Sequence, residues 1–487
     1  MPHETPDECN ATVPRIRSRR DGGDGHASTA ACDRRSWLAT GLTTLGGLVL
    51  AGCGGGASNG PPPARVDRPR RPGRASPVDP RPIPPTAEPT IRVRIDDLAA
   101  GESFTITPAG RWIRVVDEGD GAGAVFDGGL RIESLVDGWR LQPVRGPVLR
   151  VPRGRLECQL VPGEPNRLHL VREDRTAVWM PGRLAVVPTA SPRNDRERAD
   201  LVLLARMEDY LPGVLARELF GHWSPACFRA QAIAARSFAI CEAAHWKDRR
   251  HFDLTIGPET QAWEGLATAS RSHGDRSGPE SDAVASTRGM LLVWDGLVVP
   301  TYFSSCCGGV PATAQDAIGS NPANGIPPLE GRSDREACCE EAPTWRWVRN
   351  AATPGIARGL AAWALRQGRQ GAIDLASLRN IEVLEVNRHG RPVAFELRDR
   401  SGRRDTWASE TFRRGLGAAL PKGSKPIYSA AIEPHVEPAS ARFLGRGHGH
   451  GVGLCQYGAQ AMATRGHAAD AILARYYPEA RIHSAWV

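Results

Sequence analysis

Between residues 90 and 198, apolar and polar positions alternate in short runs. Examples are Ile91-Arg92-Val93-Arg94-Ile95, Trp112-Ile113-Arg114-Val115-Val116 and Leu168-His169-Leu170-Val171. A period of two sends successive side chains to opposite faces of an extended chain, and the Gly, Pro and Asp residues between the runs supply turns. The pattern predicts a β-rich region. Leu201-Val202-Leu203-Leu204 adds a further strand that runs straight into Met207-Glu208-Asp209-Tyr210-Leu211-Pro212. From 226 to 244 the period changes, with Ala, Ile, Phe and Arg at three-to-four spacing. Ser224 as N-cap and Pro225 at the first helical position mark the start of that helix. Past His251 strands and loops mix again, as in Leu291-Leu292-Val293-Trp294 with its Asp295-Gly296 turn, and helices are expected near 356–366, 456–464 and 468–476. The elements define an α+β fold of mixed sheets and short helices, without an internal repeat.

The first 89 residues carry neither period. Residues 1–33 are polar and unpatterned; Arg34-Arg35-Ser36-Trp37-Leu38 then precedes an apolar stretch ending in Leu50-Ala51-Gly52-Cys53. Paired arginines before a Gly- and Thr-containing apolar core resemble a twin-arginine export signal, and Leu-Ala-Gly-Cys resembles a lipobox. The apolar run is too short and Gly-rich to span a bilayer comfortably. The expectation is an exported, membrane-anchored lipoprotein of the periplasm or cell envelope, with 1–53 as export signal and Cys53 as the lipidated residue. Residues 54–89 are Gly- and then Pro/Arg-rich, a composition that makes a stiff tether. The β-rich part is bounded at 90–200 and a second region, of mixed strands and helices, at 201–487.

Composition narrows the partners. The chain has 487 residues, 41% hydrophobic and 24% charged, enough for one large domain or two modest ones. Its formal charge of +8 is inflated by Arg-rich N-terminal stretches. No basic stripe is interleaved with aromatics, so nucleic acid is not an expected partner. A mild positive balance suits an anionic polymer such as the cell wall.

The candidate chemistry concentrates between 207 and 240. Glu218 is flanked by Leu219, Phe220 and Trp223, an apolar setting of the kind that keeps a carboxyl protonated as a general acid. The helix that follows carries Arg229, Gln231 and Arg236; an arginine facing the same cleft would bind substrate or stabilise developing charge. The residues Glu208-Asp209-Tyr210-Leu211-Pro212-Gly213-Val214, Glu218, Trp223, Pro225 and Arg229-Ala230-Gln231-Ala232-Ile233-Ala234-Ala235-Arg236-Ser237-Phe238 form one ungapped series. That series resembles the signature of the SpoIID (stage II sporulation protein D) family, E-x-Y-L-x-G-V-x-x-x-E, a Trp/Pro loop, then A-L-K-A-Q-A-x-A-A-R-T-Y. Arg229 replaces the usual lysine, and Phe-Gly stands after the glutamate where proline is common.

A second block, Gly445-Arg446-Gly447-His448-Gly449-His450-Gly451-Val452-Gly453-Leu454-Cys455-Gln456-Tyr457-Gly458-Ala459, resembles the family's G-x-G-x-G-H-G-x-G-x-S-Q-x-G-A, and Tyr476-Tyr477-Pro478 its ending. Cys455 stands where serine is usual. Glycines at this density let backbone approach a ligand closely, and no βαβ unit frames them as a dinucleotide loop. Shorter likenesses run through Gln261-Ala262-Trp263-Glu264-Gly265, Thr287-Arg288-Gly289 and Tyr302-Phe303-Ser304-Ser305-Cys306-Cys307-Gly308-Gly309.

The resemblance implies a lytic transglycosylase that needs no cofactor for the reaction. It would cut the bond between N-acetylmuramic acid and N-acetylglucosamine, with Glu218 at the catalytic position. Arg229, Gln231, Arg236, Gln261, Ser304, His448, His450 and Gln456 would bind substrate. It also implies peptidoglycan strands lacking stem peptides as partner, hence a cell-wall amidase acting beforehand. The alternative is a non-catalytic glycan-binding amidase enhancer.

Eleven cysteines include the adjacent pairs Cys306-Cys307 and Cys338-Cys339. Four thiolates on two loops can hold a tetrahedral zinc, while an exported location favours disulfides. Some family members bind zinc with cysteines at the positions of Cys307 and Cys339 and with a histidine. Here Ser304 stands in place of that histidine, so structural zinc and a Cys307–Cys339 disulfide both remain open.

Overall fold

The computed structural model describes residues 81–117, 121, 123–163, 166–173, 177–189, 197–257, 259–266, 278–332, 339–369 and 373–487. The export signal with Cys53, the tether up to residue 80 and Cys338 lie outside these residues. Mixed sheets and helices confirm the α+β class.

Alternation decides the first half. In Thr90–Ala99 the side chains of Ile91, Val93 and Ile95 enter the core, while the intervening Arg92 and Arg94 reach Asp253 at 2.5 Å and Asp200 at 2.7 Å. This strand pairs antiparallel with Arg198–Arg206, the most deeply buried strand of a seven-stranded sheet. On its other edge it takes the short strand Leu254–Thr255 in parallel. A six-stranded sheet runs from Ala177–Pro181 to Leu149–Pro152. Buried faces of both sheets share one apolar core, which includes Ile91, Phe104, Ile132, Trp139, Leu168 and Leu203.

The same core continues into two helices. The strand Arg198–Arg206 leads without a loop into α1, Met207–Glu218, and a turn then gives α2, Pro225–Trp246. Ser224 is the N-cap residue and Pro225 opens α2 as expected, but the Ser224 side chain does not cap the helix. Its backbone N–H instead donates to Gln460 Oε1 (2.9 Å), joining α2 to the helix Gln456–Thr464. Nearly every residue of α2 between Cys227 and Glu242 is buried, Arg229 being half-exposed. The helix is the central pillar of this region, without a polar face.

A second core forms around Trp347, Leu360, Phe395, Trp407, Phe412 and Phe443. It is built by two three-stranded sheets and the helices Thr353–Arg366 and Ser409–Ala419. Its elements lie between the cysteine pairs and the glycine block in sequence. The Asp295-Gly296 turn has φ of 52° and 72°, the left-handed pair that a tight hairpin between Met290–Trp294 and Leu297–Val298 requires.

Residues 81–89 correct the tether reading. Arg81 is buried and donates to the carbonyls of Trp294 (3.1 Å) and Leu297 (3.4 Å). Val298 N–H donates to Pro82 O at 2.9 Å and Met207 N–H to Pro89 O at 3.0 Å. Composition marked this stretch as unpatterned because its bonds use backbone and two charged side chains. Among the described residues, no helix is long and apolar enough to cross a membrane.

Candidate active site

Glu218 is the last residue of α1, and the position follows from how that helix is clamped. Pro212 removes a backbone donor inside the helix, and Gly213 follows it. A Cβ on Gly213 would come within 2.4 Å of Trp263 Nε1 and 2.6 Å of Gly265 O, so only glycine admits the indole. Trp263 Nε1 then donates to Tyr210 O at 3.2 Å. Docking Trp263 brings the preceding residue to the helix end, where Ala262 N–H donates to Glu218 Oε1 at 3.0 Å.

The other carboxylate oxygen faces the glycine block. Gln456, the first residue of its helix, donates from Nε2 to Glu218 Oε2 at 2.9 Å. Thus the two motif blocks, 238 residues apart in sequence, meet at one carboxyl group. Burial raises the Glu218 pKa above the ordinary glutamate value, against the opposing pull of Gln456, Ala262 N–H and Arg217. The helix C-terminus, whose unpaired carbonyls are negative, adds to the same direction. A side-chain amide serves both protonation states, because rotation presents either its N–H or its carbonyl to the carboxyl group.

Glu218 and Gln456 form one wall of a cleft of about 240 Å³ that also exposes Ser304, His448, His450 and Glu259. Phe238 and Tyr302 supply apolar lining. His450 Nδ1 accepts Val452 N–H at 3.0 Å, so the neutral ring carries its proton on Nε2. Its ring stands edge-on to Tyr302 at 6.2 Å. Ser304 Oγ accepts Gly451 N–H at 3.3 Å. His448 is fixed by reciprocal backbone bonds with Cys306 (2.8 and 3.1 Å), and its ring lies 5.0 Å from that of Tyr428. Gly449, at φ 94°, passes so near Ser304 that a Cβ there would lie 2.8 Å from the serine Cβ.

Of the residues expected to bind substrate, Ser304, His448, His450 and Gln456 line this cleft with Glu218. Four do not. Arg236 is fully buried and grips Glu208 with two bonds of 3.0 and 2.6 Å, with Met290 O at 3.1 Å as a further acceptor. Glu208 also accepts Gly289 N–H and Trp486 Nε1, each at 3.1 Å, so this pair joins α1, α2 and the chain end. Gln231 is fully buried on α2, and its amide has no hydrogen-bond partner among the described residues. Gln261 is buried, donating to Ala235 O at 2.9 Å and accepting from Tyr210 OH at 3.4 Å. It sets the segment that carries Ala262. Arg229 is half-buried on α2 and outside the cleft lining.

Two functional candidates escaped sequence reasoning. Glu259 lines the cleft as a second carboxylate; only its place two residues before Gln261 hinted at this. Cys455 joins the cysteines. The sulfurs of Cys306, Cys339 and Cys455 lie within 4.8 Å of one another, and Cys307 Sγ is 3.6 Å from Cys339 Sγ. All four cysteines are free thiols. Four thiolates about a zinc would be spaced roughly 3.8 Å apart, given Zn–S of about 2.3 Å. A disulfide needs sulfurs about 2.05 Å apart. The sulfurs of Cys306, Cys339 and Cys455 therefore lie at distances that a thiolate-bound metal would fit.

Comparison with known proteins agrees with the motifs. Residues 195–294 match the family model described as SpoIID, Stage II sporulation protein. The chain is 26% identical over 271 residues to an uncharacterized protein of Brachyspira hyodysenteriae, covering 56% of this chain and 65% of that one. It is 22% identical over 296 residues to the amidase enhancer of Bacillus subtilis, covering 55% and 39%. The Stage II sporulation protein D of Bacillus amyloliquefaciens is 23% identical over 278 residues, with 56% and 72% covered. The chain thus spans less than two thirds of the length of the first two relatives.

Proposed function

Taking the chain as a member of the SpoIID family, we propose that it cleaves peptidoglycan glycan strands by lytic transglycosylation. Neutral Glu218 donates its proton to the oxygen between N-acetylmuramic acid and N-acetylglucosamine, and the muramic C1–O bond breaks. The resulting carboxylate takes the proton of the muramic C6 hydroxyl, whose oxygen bonds to C1. The products are a 1,6-anhydro end and a free 4-hydroxyl, and Glu218 regains its proton. One carboxyl suffices because the nucleophile belongs to the substrate, unlike hydrolysis, which needs two. The observation that carries this reading is the Glu218 carboxyl in the cleft wall, its pKa raised by burial.

Gln456 and Ala262 N–H hold the carboxyl in place through both half-reactions. The Nε2 proton of His450 and the hydroxyl of Ser304 suit sugar hydroxyls and N-acetyl groups. Acyl chains on Cys53 would hold the enzyme at the envelope membrane. An amidase that strips stem peptides would act first.

Incubating denuded glycan with wild type and Glu218→Gln, and measuring anhydro ends by mass spectrometry, tests the proposal. General acid–base catalysis is worth roughly a hundred- to ten-thousand-fold, and a loss of that size is expected. Equal turnover by the variant would remove Glu218 from the chemistry. A second reading draws on the relative named amidase enhancer: a glycan-binding partner of an amidase. It predicts glycan binding and faster amidase turnover with no anhydro ends from wild type.

A further inference from the structure

The cleft holds a carboxylate that transglycosylation leaves unused. Glu259 lines it together with Glu218. Its side chain is exposed, and among the described residues it has no hydrogen-bond or ion-pair partner. The buried carboxylates around α2 are all committed: Glu208 to Arg236, Asp253 to Arg92, and Glu242 to Trp246 Nε1. Glu259 has no such structural task.

Its position is nevertheless fixed, because the chain around it is anchored. Thr260 Oγ1 donates to Thr255 O at 2.6 Å and accepts Thr255 N–H at 3.0 Å. Gln261 Nε2 donates to Ala235 O at 2.9 Å, and Ala262 N–H bonds Glu218 Oε1 at 3.0 Å. From Glu259 to Ala262 is three residues, a stretch that spans at most about 11 Å. The Glu259 backbone therefore lies within that distance of the residue that touches Glu218. Working carboxyl pairs of glycosidases stand about 5–9.5 Å apart, and the glutamate side chain spans the difference. The two groups also differ as such a pair must. Glu218 is buried and bonded on both oxygens, whereas Glu259 is exposed and bonded on neither. The first is built to hand a proton to a leaving group, the second to meet water.

We propose that the same cleft also hydrolyses the glycan, with Glu259 as the base that activates water. Neutral Glu218 protonates the bridging oxygen and the muramic C1–O bond breaks. The water oxygen bonds to C1 as Glu259 takes its proton. The products are a reducing muramic end and a free 4-hydroxyl, and solvent returns the proton from Glu259 to Glu218. Water and the muramic C6 hydroxyl thus compete for one carbon, each served by its own carboxylate. The inference rests on the cleavage reading of Glu218 and adds a second product to it.

The test starts from denuded glycan whose own reducing ends have been capped with borohydride. After incubation with the full chain, new reducing ends are counted by borodeuteride labelling and anhydro ends by mass spectrometry. Wild type should form both. Glu259→Gln should lower the ratio of reducing to anhydro ends by on the order of a hundredfold, and Glu218→Gln should remove both kinds. Anhydro ends alone from wild type would overturn the hydrolysis and leave transglycosylation standing, whereas no new ends of either kind would overturn both. An equal loss of both ends in Glu259→Gln would also overturn the proposal, since it marks a residue that only holds substrate. Should that variant fail to fold, Glu259→Asp, which withdraws the carboxylate by one methylene, should lower the same ratio; an unchanged ratio in either variant would sink the assignment.

Discussion

Glu218 and Glu242 show how one physical cause serves different ends. Burial raises both carboxyls, Glu242 to about 8. Glu242 lies on α2, where Trp246 Nε1 donates to it at 3.1 Å, and it is absent from the cleft lining. An acid whose folded pKa exceeds its unfolded one stabilises most below the unfolded value, and that stability is lost as pH rises through the folded value. Glu242→Gln should therefore flatten the fall of Tm between about pH 4.5 and 8 while leaving the alkaline limb of activity in place. Glu218→Gln should abolish activity and, by the same sign, cost no stability at neutral pH; denaturation at pH 4 and pH 7 checks it. Arg236 is a different case. Arg236→Ala leaves the Glu208 carboxylate buried without its partner, a loss of roughly 3–5 kcal/mol, read as a lower denaturation midpoint with unchanged substrate affinity in the protein that folds. Motif resemblance gave Arg236 a substrate-binding task, and the structure gives it a buried ion pair with Glu208 instead. Spacing gives no side-chain direction, and a helix buried on nearly all sides offers no polar stripe from which to infer one. Cys455 was hidden for a related reason, since only proximity across the fold brings its sulfur beside those of Cys306 and Cys339.

Among the elements, periodicity and end signals located what they physically govern. The helices expected at 456–464 and 468–476 are Gln456–Thr464 and Ala469–Tyr476, and the expected one at 356–366 begins slightly earlier, as Thr353–Arg366. The strands at Ile91, Trp112 and Leu168 lie within Thr90–Ala99, Trp112–Asp117 and Arg167–Arg172. Pairing order was not legible, because alternation assigns a face and leaves the neighbour undetermined. Nor was the clamp on α1, which depends on the missing Cβ of Gly213. Gly213→Ala should force Trp263 outward at about 1–3 kcal/mol and carry Ala262 away from Glu218. Its signature is a reduced kcat alongside a lower Tm, whereas an ordinary destabilising change on the six-stranded sheet lowers Tm alone.

Among the described residues, the two cores and the docking of 81–89 and of Trp486 were the least visible from sequence. The second core is assembled from short strands and helices whose local patterns resemble any surface element. The chain end closes on the first core through Trp486, whose indole meets the same Glu208 that holds Arg236. Trp486→Ala should lower stability by roughly 3–5 kcal/mol, measurable in guanidinium, without altering the cleft.

The docked segment 81–89 has one more consequence. Glu88 accepts Glu208 N–H and pairs with Arg206 and Arg288, while Arg81 and Pro82 are bonded around Leu297–Val298. Tension arriving along the chain from upstream would therefore meet a row of bonds at Arg81 and Pro82 before it reached Glu88 and the buried ion pair behind it. Pulled through its N-terminus in an optical trap, the protein should yield first at this strap, with the cleft around Glu218 still intact.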